Sequence, residues 1–106
     1  MSKKTENRRE GDITKGCPDI FDAKIEYGKS CGWNFLGKEA YVKNKLDNHT
    51  VRATVQTVSK HSDRPPVTST HPYTIGAGDR VSLPCTRAGW INGSTFEYCV
   101  IGTEVL

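Results

Sequence analysis

A chain of 106 residues, 35% of them hydrophobic, with a mean hydropathy of −0.58, has room for one domain but not for a large core. No apolar run approaches the roughly 18 residues that a membrane-spanning helix needs, and no apolar stretch follows the basic start at Lys3 and Lys4 as a signal peptide requires. The distribution of the net charge of +3 argues against a nucleic-acid binder: the first sixteen residues hold +2, the other ninety only +1, so the expected domain is nearly neutral and has no basic stripe.

Residues 1–16 contain Ile13 as their one strongly apolar side chain after the initiator Met. Such a stretch cannot bury enough surface to offset its ordering entropy, and it is predicted to be a disordered polar lead. Residues 17–106 are expected to form a single β-rich domain. Within it, 17–39 reads as an irregular covering segment. Phe21, Ala23, Ile25 and Tyr27 alternate there as a strand would, but 31–37 is too glycine-rich for a helix and reads as a covering loop or short strand.

The strand signal strengthens in 40–106. Residues 40–46 end at a turn cluster, Asp47-Asn48-His49. Val51, Ala53, Val55 and Thr57 then share one face, with Arg52, Thr54 and Gln56 on the other, the best alternation in the chain. Residues 59–70 contain Pro65-Pro66 and almost nothing apolar, so they are predicted to be a long loop. Residues 71–75 close at the glycine turn 76–79. Val81, Leu83 and Cys85 share a face, 86–94 is a second loop, and Phe96, Tyr98 and Val100 alternate in the last strand.

Five or six short strands without an amphipathic helix predict an all-β fold: a small antiparallel β-sandwich or a partly open barrel. A strand ending in Asn44, a β-branched strand, a long connection and a strand beside a Gly-Asp turn resemble immunoglobulin-like modules over roughly 41–85. The resemblance rests on generic turns and carries no function.

Cys17, Cys31, Cys85 and Cys99 form two pairs, each with a spacing of fourteen. An even count in a short chain suggests disulfides and a secreted or extracytoplasmic location; free thiols in a cytoplasmic protein are the alternative. Neither pair is tight enough for a zinc site. If the strands around Cys85 and Cys99 form a hairpin centred near Asn92, those two cysteines face each other, and by elimination Cys17 pairs with Cys31. Cys99 is out of phase with Phe96, Tyr98 and Val100, so that strand must bury both faces or carry a bulge. The sequons at Asn48 and Asn92 read as turns before they read as glycosylation sites.

His49, His61 and His71 lack the His-x-His spacing that places two rings on one strand face. No cysteine has a histidine near it in sequence to lower its thiol pKa, and no serine sits in an elbow motif. No cofactor, metal or catalytic residue is therefore assigned. Trp33 and Trp90 lie among glycines and polar residues, where a tryptophan serves either as a contact anchor or as a lid over the core. Trp90, Arg87 and Asn92 form one candidate contact cluster; Trp33, and Arg64 beside its two prolines, are others. The leading expectation is a non-catalytic binding module, a secreted or surface-acting effector, inhibitor or toxin-like factor. It would present 59–70 and 86–94 to a protein or carbohydrate. A small cytosolic hydrolase or metal-dependent enzyme and a structural or assembly subunit are the alternatives, and the oligomeric state is not encoded legibly.

Overall fold

The computed structural model describes residues 17–88 and 93–106; the polar lead, Trp90 and Asn92 lie outside these. The described chain forms two antiparallel sheets that pack face to face and do not close into a barrel. One sheet has the order β1-β2-β5, built from Ala23–Cys31, Gly37–Asn44 and Arg80–Leu83. The other runs β4-β3-β7-β6, from Arg64–Ile75, Val51–His61, Ser94–Val105 and the two-residue strand Arg87–Ala88.

Alternation decides which side chains enter the core. Val51, Ala53 and Val55 of β3 face inward, as do Tyr98 and Val100 of β7, and all are buried. They meet Ala23 of β1, Ala40 and Val42 of β2, Ile75 of β4 and Leu83 of β5. Several of these are small or β-branched, which suits close packing of two pleated surfaces. Asn44 is the one buried polar residue among the described residues. Its amide donates to the carbonyls of His49 (2.8 Å), Ile75 (3.1 Å) and Gly76 (3.0 Å), and its Oδ1 accepts from the Leu46 N–H (2.8 Å). One side chain thus closes the turn after β2 and ties it to the end of β4.

Three expectations are corrected. The segment 17–39 is not an irregular cover: it holds β1, paired with β2 from Ala23↔Asn44 to Cys31↔Gly37. Residues 59–70 are not a loop. They are the end of β3, a two-residue turn at Ser62 and Asp63, and the start of β4, with Ser59 opposite Val67 and His61 opposite Arg64. Pro65 and Pro66 fall where the β3–β4 register shifts between Ser59 and His61, and Pro72 lies on an edge strand, whose free side does not need every N–H. Their rings also blunt that edge against pairing with another chain.

The third correction concerns the cysteines. The disulfides join Cys17 to Cys99 and Cys31 to Cys85. The expected hairpin fails because β5 pairs with β2 in the other sheet. After Leu83 the chain crosses between sheets, and among the described residues Arg87 and Ala88 pair with Thr95 and Ser94 of β7. Cys99 points away from the core, opposite in phase to Tyr98 and Val100, and is still buried. From its partner Cys17 the chain passes beside β7 to Asp22, whose N–H donates to Thr103 Oγ1 (3.1 Å), and then enters β1. Of the two alternatives, burial of both faces is the one met at Cys99; the register of β7 against β3 does shift between Thr54 and Val55, but at Ile101, beyond Cys99.

Candidate functional site

The Cys31–Cys85 disulfide fixes one end of the sandwich and organises the segment between β1 and β2. Gly32 and Gly37 bracket Trp33, Asn34, Phe35 and Leu36. Both glycines lie hard against the crossing segment. A Cβ on Gly37 would meet Cys85 Sγ at 2.7 Å and Arg87 Cβ at 2.9 Å, and a Cβ on Gly32 would meet the Arg87 carbonyl oxygen at 2.7 Å. Gly32 also needs its left-handed backbone, with φ of 83°. The two ends of the loop are thereby clamped on Cys85 and Arg87, and the four residues between them are pushed outward.

Those four residues close a tight turn over Trp33–Phe35, in which the Phe35 N–H donates to the Gly32 carbonyl (3.0 Å) and the Leu36 N–H to the Trp33 carbonyl (3.2 Å). Asn34 and Phe35 both take positive φ, 56° and 57°. Asn tolerates that region; Phe rarely does, and holding it there costs about 1–3 kcal/mol. Burial does not repay this cost, because Phe35 is 75% exposed, Leu36 55% and Trp33 38%.

Thr86 forms the base of the site. Its N–H donates to the Lys38 carbonyl of β2 (3.0 Å), its Oγ1 accepts from the Lys38 N–H (2.8 Å), and its carbonyl accepts from the Phe96 N–H of β7 (2.8 Å). One residue therefore joins both sheets beneath the loop.

The β3–β4 turn reaches the same end of the molecule. Arg64 pairs with His61, Lys60 with Thr95, and Thr95 with Arg87. Arg64 and Arg87 thus lie near one row across β4-β3-β7-β6, three strand spacings or about 14 Å apart. Of the residues singled out in the sequence, Trp33 and Arg87 are brought together and Arg64 stands across the same end. Trp90 and Asn92 lie outside the described residues, in the connection from β6 to β7. Trp33 faces solvent over 38% of its surface. Phe35 and Leu36 were missed; the available signal was an apolar pair between two glycines, with no period to draw it inward.

Ionisable groups respond to the packing here. Burial, and secondarily Glu97, pushes the Tyr27 phenol above its ordinary range. Tyr98, whose hydroxyl donates to the Pro84 carbonyl at the crossing (2.8 Å), is pushed up to about 12, chiefly by burial. His61 contacts Asp63 in the β3–β4 turn, and His71 lies against the Tyr73 ring at 4.7 Å. His49 sits in the turn after β2, at the other end of β3. Among the described residues no three His, Cys, Asp or Glu side chains group as a metal site, and all four cysteines are in disulfides.

No family model, curated protein or solved structure matches this chain.

Proposed function

We propose that this protein is a non-catalytic binding module, an immunoglobulin-like scaffold that docks on a partner protein through the end formed by Trp33, Phe35, Leu36 and Arg87. The observation that carries the reading is Phe35, held out in solvent on a left-handed backbone by a loop clamped at both ends. Strained backbone concentrates where a side chain must be presented in one fixed geometry. A rigid aromatic anchor also loses little conformational entropy on contact, so most of its buried area is available for affinity. A protein acceptor suits three apolar side chains better than a carbohydrate, whose hydroxyls need a ring of polar partners around the aromatic face. The two disulfides suit work outside the cytoplasm.

The test is selection of a random-peptide phage library on the immobilised protein, followed by rebinding to the double variant Phe35→Ser, Leu36→Ser. Both side chains are exposed, so the variant should keep its thermal midpoint. Selected peptides should bind it about tenfold more weakly or worse, the loss expected when a small apolar anchor is removed. Peptides that bind variant and native protein equally, or a selection that yields none, would reject the site.

A further inference from the structure

We infer that the partner face received by this end is acidic, with carboxylates set around an apolar contact for Phe35 and Leu36. This rests on the docking reading above and adds the chemistry of its acceptor. The observation is how cations are paired across the described surface. Away from the loop they are engaged: Lys24 with Glu26, Lys45 with Asp19, Arg52 with Glu104 (3.2 Å) and Arg80 with Glu26 (3.6 Å), while Lys43 donates to the Gly78 carbonyl (2.9 Å). At the loop end, Lys29, Lys38 and Arg64 are exposed and, among the described residues, have no ion-pair partner.

Among the described residues three carboxylates stand at that end, and only Glu97 is held by a cation. Glu39 Oε1 accepts from the Lys29 N–H (3.3 Å) and the Tyr41 hydroxyl (3.1 Å). Glu97 pairs with Lys60 (3.1 Å) and Asp63 with His61. Lys29 and Lys38 flank the loop closely, since Ser30, next to Lys29, pairs with Lys38 across β1 and β2. An apolar tip flanked by Lys29, Lys38 and Arg64, whose charge exceeds that of Glu39 and Asp63 at the same end, is complementary to an acidic surface with an apolar centre. Such a rim raises the association rate and selects against basic partners more than it adds raw affinity. A protein is favoured over an anionic bilayer because stable membrane attachment needs more apolar area than one exposed Phe, one Leu and a partly covered Trp.

The test uses the full chain and two synthetic hexapeptides, Asp-Glu-Leu-Phe-Glu-Asp and Lys-Arg-Leu-Phe-Arg-Lys, both with blocked termini. Amide NMR shifts give the location of binding, and titration at low and high salt gives its strength. The acidic peptide should shift amides within 29–38 and bind at least about tenfold more tightly than the basic one. The double variant Lys29→Glu, Lys38→Glu should reverse that preference, and added salt should erase it. Equal binding of both peptides at 29–38 would overturn the acidic partner and leave the docking site standing. Shifts confined to other elements, or no binding of either peptide, would overturn the acidic partner, with the phage selection then judging the site separately. Phosphatidylserine vesicles that sediment the native protein but not the double variant, with no shift from the acidic peptide, would assign the face to a membrane and overturn the inference.

Discussion

Tyr98 and Asn44 are both buried side chains that carry a hydrogen-bonded polar group, and each makes a separate prediction. Tyr98 donates to the Pro84 carbonyl where the chain crosses between sheets, and its phenol pKa is raised to about 12. A raised pKa means that the folded protein keeps a proton which the unfolded chain gives up near pH 10. This contribution to stability is complete below about pH 10 and is lost as pH climbs through about 12. Tyr27 acts in the same direction, because burial raises it too. Tyr98→Phe should cost about 0.5–1.5 kcal/mol at neutral pH by removing one hydrogen bond. It should also flatten the loss of stability between pH 10 and 12, as read by urea unfolding across that range; an unchanged slope would remove Tyr98 from the account. Asn44→Ala strips a buried amide from three carbonyls and one N–H. It should destabilise by about 2–4 kcal/mol, visible in the same urea experiment at neutral pH.

At the scale of elements, the loop 32–37 depends on two glycines rather than on its own apolar residues. Gly32→Ala meets both a positive φ and the Arg87 carbonyl at 2.7 Å, so about 1–3 kcal/mol of strain is expected. Because the clamp faces Cys85 and Arg87, amide shifts should spread across 85–88 as well as 32–37; shifts confined to position 32 would mean that the loop is not clamped. This contact between segments fifty residues apart was not legible in the sequence, which shows glycine-rich stretches but not what approaches them. The alternation of Val51, Ala53 and Val55 was legible because one face of β3 is dry and the other wetter; Phe96, Tyr98 and Val100 alternate too, although the opposite face of β7 is itself covered at Cys99. The β4 strand was hidden for the opposite reason. It is exposed on both faces until Tyr73, so no apolar alternation is required of it, and its edge position admits prolines that would exclude a central strand. Cys99 gave a true signal of conflict: it faces away from the core and is covered where Cys17 joins it.

The whole molecule is held by covalent links between distant parts of the chain. The two disulfides bridge separations of 82 and 54 residues, where the sequence suggested two short loops of fourteen. The difference has energetic weight. Loop-closure entropy grows with the logarithm of loop length, so each native link should stabilise by about 4 kcal/mol in the chain-entropy model, against roughly 3 for a short loop. A domain of this size has a total stability of about 5–15 kcal/mol, and its buried side chains are mostly small. Losing either link should therefore take a large share of that stability, and losing both should leave the fold marginal or unfolded at 25 °C. The two links also do different work. The Cys17 to Cys99 link anchors the approach to β1 beside β7, whereas Cys31 to Cys85 ties β1 to the segment that crosses between sheets and carries the candidate site. Cys31→Ser, Cys85→Ser should weaken the fold and broaden the amide signals of 32–37 together. Cys17→Ser, Cys99→Ser should weaken it by a similar amount with the loop signals unchanged. A non-reducing peptide map must first show Cys17 linked to Cys99 and Cys31 linked to Cys85. Urea unfolding of each double variant, with and without reductant, then measures the two contributions. A variant lacking either link that loses less than about 1 kcal/mol would show that packing alone sustains the two sheets.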